Sequence, residues 1–150
     1  MGTRNHGNVV RLLLLLLFSL LLSECSAWFD FAAVTVKVQN DIEGYEVSLD
    51  MHCQSNDDDL GLRSLHKGEE WHWQFMQSFI GNTHFWCDFR WYDNWDYRWY
   101  EGTFEVYHGN AWADKYHKVC RNRCDYSVRR DGLYMFRIDK YEWEKRGTWH

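Results

Sequence analysis

From Val34 onward, apolar and polar residues alternate at period two, the pattern of half-buried β-strands. Val34, Val36 and Val38 share one face, with Thr35 and Lys37 on the other. Tyr45, Val47, Leu49 and Met51 repeat the pattern, and the Asp41-Ile-Glu-Gly44 stretch before them predicts a hairpin turn. Trp71, Trp73 and Phe75 follow, then Phe85, Cys87, Phe89 and Trp91, with Trp86 interrupting the polar face. Phe104 with Val106, Tyr126 with Val128, and a face of Tyr134, Phe136 and Ile138 after an Asp131-Gly132 turn complete the series. Helix signals are weak, and one short helix is expected within Asn110–Cys120. The pattern predicts an all-β fold: an antiparallel β-sandwich of about seven or eight short strands with one or two short helices.

The first residues follow another rule. Arg4 and Arg11 precede an 11-residue apolar run from Leu12 to Leu22 that holds one serine, Ser19, and Ser23 to Ala27 is short and ends in small residues. This is the layout of a secretory signal peptide, with cleavage expected after Ala27. A bilayer-spanning helix needs roughly 20 apolar residues, and no later segment is apolar enough. Residues 1–27 are therefore expected to be a removed leader and residues 28–150 a single exported domain, without membrane insertion of the mature chain. The expected location is extracellular.

Composition sharpens this picture. The 150-residue chain carries a formal net charge of −5, which argues against nucleic acid as a partner. Lys115, Lys118, Arg121, Arg123, Arg129 and Arg130 form a local basic stretch, read as a solvated face or as a docking patch for an acidic partner. Of the five cysteines, Cys25 falls in the leader, leaving Cys53, Cys87, Cys120 and Cys124. An even number in a small exported domain predicts two disulfides, with three connectivities open.

Candidate chemistry is sparse. The Asn56-Asp-Asp-Asp-Leu-Gly61 stretch suggests calcium, but with Gly61 as the turn glycine Leu60 and Lys67 occupy positions where an EF-hand needs oxygen ligands. Its carboxylates are expected to cap turn N–H groups instead. No Gly-x-Ser-x-Gly elbow is present, and paired thiols leave no cysteine nucleophile. No enzyme activity, metal or cofactor is expected. All ten tryptophans follow the leader, and most should be core. The Asn94–Tyr100 stretch mixes aromatics with Asn, Asp and Arg, as contact surfaces do.

These residues together resemble the plant self-incompatibility protein family, the S-protein homologues. The resemblance runs from Val36-x-Val38-x-Asn40 through His52-Cys53-x-Ser55, Asp57-Asp58-Asp59-Leu60-Gly61 and Trp71-x-Trp73-x-Phe75. It continues through Thr83-x-Phe85-Trp86-Cys87-x-Phe89-x-Trp91, Cys120, Cys124 and Asp131-Gly132-x-Tyr134. Tyr126 departs from the pattern, which has Trp there, as does the charged, aromatic tail after Ile138. The resemblance implies a secreted sandwich with two disulfides, acting as a signalling ligand for a receptor protein on the surface of another cell. In that layout the nested pairing Cys87–Cys120 and Cys53–Cys124 is expected. The display surface is expected on Tyr92–Arg98 and Tyr107–Lys118, with Tyr92, Asn94, Trp95, Tyr97, Arg98, Lys115 and Lys118 as contact residues. The alternative is a cell-wall polysaccharide binding module, for which Trp91, Trp95 and Trp99 would form a row of exposed rings. A hydrolase would need a carboxylate or histidine pair in a cleft.

Overall fold

The computed structural model describes residues 7–20, 33–78, 82–109 and 115–150, and divides the chain into two units, residues 1–32 and 33–150. In the first unit, residues 7–20 form helix α1. Among the described residues no helix is long and apolar enough to cross a membrane. Cys25 and the expected cleavage point at Ala27 lie outside the described residues.

Among its described residues the second unit holds nine strands and a short helix: β1 (Ala33–Asn40), β2 (Leu49–Ser55), β3 (Asp59–Leu65), β4 (Glu70–Met76), β5 (Thr83–Asp93), β6 (Arg98–Gly109), α2 (Lys115–Cys120), β7 (Arg123–Arg129), β8 (Gly132–Arg137) and β9 (Glu142–Gly147). They form two sheets, in the orders β4-β1-β7-β8-β9 and β3-β2-β5-β6. The fold is all-β, as the alternation predicts. The inward faces are those the pattern selects on β1 and β5: Val34, Val36 and Val38 are fully buried, as are Phe85, Cys87, Phe89 and Trp91 to within 2%.

Four expectations change. The Asp41–Gly44 segment is not a hairpin turn, because β1 and β2 lie in different sheets. It carries the chain across the sandwich. Asn40, fully buried, holds that crossing: its side-chain amide donates to the carbonyls of Val47 (3.1 Å) and Leu65 (2.8 Å) and accepts from Ile42 N–H (3.1 Å). Tyr45 is consequently a 78% exposed loop residue rather than part of a strand. The sandwich is not wholly antiparallel, since β1 and β7 run parallel in the middle of their sheet. On β8 the buried residues are Leu133 and Met135, the opposite parity from the Tyr134–Ile138 face, because they lie opposite Val128 and Tyr126 of β7.

The fourth change concerns the disulfides. All four expected cysteines are paired, but as Cys53–Cys87 and Cys120–Cys124. Cys53 and Cys87 are direct partners on neighbouring strands β2 and β5, with Cα atoms 4.0 Å apart. Cys120 and Cys124 close the turn from α2 into β7 at 4.8 Å. Nesting by sequence order fails because pairing requires Cα atoms within about 7 Å, which strand register decides.

The charged tail is also structural. β9 pairs with β8, and the last residues then cross to the other sheet. There His150 exchanges backbone hydrogen bonds with Glu101 of edge strand β6 (3.1 and 3.2 Å), and the Trp149 ring packs on Phe104 at 5.4 Å. Covering an edge in this way blocks pairing with other chains.

Candidate recognition surface

The β5–β6 hairpin ends at the pair Asp93–Arg98, leaving a four-residue tip. Asp93 organises it. Its carboxylate is 1% exposed, and Oδ1 accepts hydrogen bonds from the N–H groups of Trp95 (2.7 Å) and Asp96 (3.2 Å), a side-chain-closed turn. Oδ2 is ion-paired with Arg130, from the β7–β8 turn. Burial is the largest influence on this acid and acts to raise its pKa. The two N–H donors and the Arg130 guanidinium together outweigh it and hold the carboxyl below the usual aspartate value.

The tip is braced from three sides. The Asn94 side chain donates to the carbonyl of Tyr45 (3.2 Å), tying the hairpin to the sheet-crossing loop. Arg130 lies 4.0 Å over the Trp95 ring and 3.5 Å from Asp96. Tyr100 stacks on buried Trp91 at 4.7 Å, donates to Asp96 (3.0 Å) and lies beneath the Arg98 guanidinium at 4.5 Å. Tyr97 adopts a left-handed φ of 54°, which projects its ring outward at 80% exposure. Trp99, 48% exposed, is held by Arg90 at 4.1 Å and by the edge of Tyr92 at 5.3 Å. The result is an exposed aromatic cluster of Tyr45, Trp95, Tyr97 and Trp99, interleaved with guanidinium groups on a rigid base.

The expected contact residues do not all meet. Tyr92, Asn94, Trp95, Tyr97 and Arg98 come together at this tip. Lys118 is exposed on α2, whose Tyr116 packs on Glu105 and Tyr107 towards the far end of the hairpin, so it does not join this tip. Tyr107 and Tyr116 are buried to within 1% and belong to the core rather than to a display loop. The Lys115 side chain and residues 110–114 lie outside the described residues. Trp91 is fully buried, so the three-ring row that a polysaccharide module would use does not exist. The basic stretch also divides: Arg129 and Arg130 sit at the tip end, while Arg123 pairs with Asp125 (3.0 Å) at the start of β7.

The Asn56–Gly61 segment is the β2–β3 hairpin. There Ser55 Oγ accepts from the N–H of Asp58 (2.9 Å), and Asp59 Oδ1 accepts from Gly61 N–H (2.8 Å) and contacts His52 Nε2 (2.6 Å). One carboxylate of the three thus caps the turn as expected, with Ser55 doing the rest. Tyr45 and Arg90 are tip residues that sequence reading misses, whereas Trp99 falls in the Asn94–Tyr100 stretch and Arg130 in the basic stretch that it singles out. Gly44 before Tyr45 was the available signal for a loop; Arg90 gave none.

The fold and its displayed tip define a small two-sheet β domain that carries a braced aromatic hairpin tip. The chain belongs to the plant self-incompatibility protein S1 family, whose model matches residues 35–149. It is 30% identical over 128 residues to S-protein homolog 2 of Arabidopsis thaliana, covering 85% of this chain and 75% of that protein. It is likewise 30% identical over 130 residues to self-incompatibility protein S1 of Papaver rhoeas, covering 87% and 86%. A solved structure of self-incompatibility protein homologues, described as small, highly stable, secreted plant proteins, shares 18% identity over 79% of this chain and 95% of its own, with a TM-score of 0.45.

Proposed function

We propose that this protein is a secreted, non-catalytic recognition ligand, exported by removal of residues 1–27 and read by a receptor protein on another cell through the β5–β6 tip. The observation that carries this reading is the braced aromatic cluster: Trp95 is 59% exposed with the Arg130 guanidinium over its ring, and Tyr97, 80% exposed, stands on the tip that Asp93 closes. Large exposed rings held in place lose little entropy on binding, and aromatic and arginine side chains dominate interface energies. Family membership and the basic–apolar layout of the first residues support export.

The test is binding of the oxidised protein to the surface of candidate target cells. The W95A/Y97A variant is expected to lose binding by tenfold or more, equivalent to at least about 1.4 kcal/mol, with its unfolding midpoint little changed. Normal binding by this variant, with loss on Lys118→Glu instead, would move the surface to the other end of the hairpin. Binding that survives proteolysis of the cell surface and is competed by wall polysaccharide would replace the receptor reading with a carbohydrate one.

A further inference from the structure

At the opposite end of the same hairpin, β5 and β6 share an irregularity. The register runs Thr83 to Gly109, His84 to His108 and Phe85 to Tyr107, then shifts so that Trp86 faces Glu105, leaving Val106 as an extra residue. In a regular strand, residues three apart point to opposite faces. Here the bulge turns both Val106 and Tyr107 into the core, where each is fully buried. Glu105 therefore emerges on the outer face beside His108 and diagonal to His84. Bulges commonly re-aim side chains in this way next to functional sites.

We propose that His84, Glu105 and His108 form a zinc site. Among the described residues this is the one group of three His, Cys, Asp or Glu whose ligand atoms all lie within 4.8 Å of one another. His84 Nε2 and His108 Nδ1 are each 3.2 Å from the same oxygen, Glu105 Oε2. Zinc bonds of about 2.0–2.1 Å to nitrogen and oxygen give tetrahedral edges of roughly 3.3 Å, close to both separations. Two imidazoles and one carboxylate suit zinc rather than calcium or magnesium, which take all-oxygen shells.

The carboxylate is also pre-oriented. Tyr116 O–H donates to the other oxygen, Glu105 Oε1, at 3.0 Å, which orients the carboxylate with Oε2 towards the two imidazoles. The Arg146 guanidinium, 5.9 Å from the Tyr116 ring, is the nearby positive charge that tempers affinity. The His84 ring is held between Trp86 at 5.2 Å and His108 at 4.9 Å. The three ligand side chains are 33–41% exposed, so solvent or a partner's donor can fill the fourth position.

The test is calorimetric titration of the oxidised, EDTA-stripped protein with Zn²⁺, and absorption after Co²⁺ loading. The expected result is one ion per chain, with the Co²⁺ bands of a four-coordinate N/O site. H84N/H108N should abolish binding, E105Q should weaken it by at least tenfold, and Y116F by roughly tenfold through loss of orientation. H52N should change nothing. Should the double variant fail to fold, backbone NMR shifts on Zn²⁺ addition to the wild-type protein decide the matter: they should centre on residues 84, 105 and 108. Equal affinity in H84N/H108N, shifts centred on other histidines, or no heat in the millimolar range would each overturn the site.

Discussion

Asp93 shows how one side chain can set a surface. It lies in the last pair of the hairpin, buries its carboxylate, and uses both oxygens, one for the tip's backbone and one for Arg130. Its pKa is held below that of the unfolded chain, so the sign of the linkage is determined. The stabilisation is fully present above the unfolded aspartate value, about 3.9, and is lost as pH falls through the lower folded value. Amide protection factors at Trp95 and Asp96, taken relative to intrinsic exchange at each pH, should therefore fall in that acid window. In D93N, which keeps an acceptor but no charge, protection should be lower at neutral pH and flat across the window. D93A should cost roughly 3 kcal/mol in urea unfolding, because Arg130 would be left without its buried partner. At this scale the aromatic-rich tip was legible in the sequence, since Trp95, Tyr97 and Arg98 stand among polar turn residues. The role of Asp93 was not, because its partner Arg130 comes from another sheet.

At the scale of elements, the bridges divide their work by loop size. Cys53–Cys87 spans 34 residues and Cys120–Cys124 only 4. In the chain-entropy account the first restricts the unfolded state by about 3.8 kcal/mol and the second by about 2 kcal/mol. Replacing the first pair by alanine should lower the urea midpoint more than replacing the second, and a non-reducing peptide map should join Cys53 to Cys87. The β7–β8 turn carries a similar constraint. Gly132 has φ of 151°, and a Cβ there would collide with the Gly147 carbonyl of β9. The Asp-Gly turn was readable from the sequence, but the neighbour that forbids a side chain was not. The same holds for the β6 bulge: Phe104 and Val106 read as one face of a regular strand until β5 sets the register.

Across the whole molecule, the C-terminal tail joins the two sheets. Trp149 donates from its indole to the carbonyl of Arg129 (2.9 Å) while its ring packs on Phe89 and Phe104 of the other sheet. W149A should destabilise the fold by about 2 kcal/mol, less than for a fully buried Trp, since this ring is partly exposed. Removing Trp149 and His150 should also uncover part of the β6 edge and raise aggregation, measurable by light scattering. The two ends of the β5–β6 hairpin place the aromatic tip and the histidine cluster far apart, so each can be altered without touching the other.

The sequence by itself determined the all-β class, the inward faces of β1 and β5, the four paired cysteines and the aromatic tip. All of these rest on period-two alternation, residue type or parity, which are local properties. Only the tertiary structure decided which strands are neighbours. That choice placed β1 beside β7 in parallel, moved Asp41–Gly44 from hairpin to crossing, and paired Cys53 with Cys87. It also buried Trp91 beneath Tyr100 and brought His84, Glu105 and His108 onto one face. The physical reason is common to all of them. Register and sheet membership are set by packing between residues distant in the chain, and one residue of slip sends every side chain to the other face.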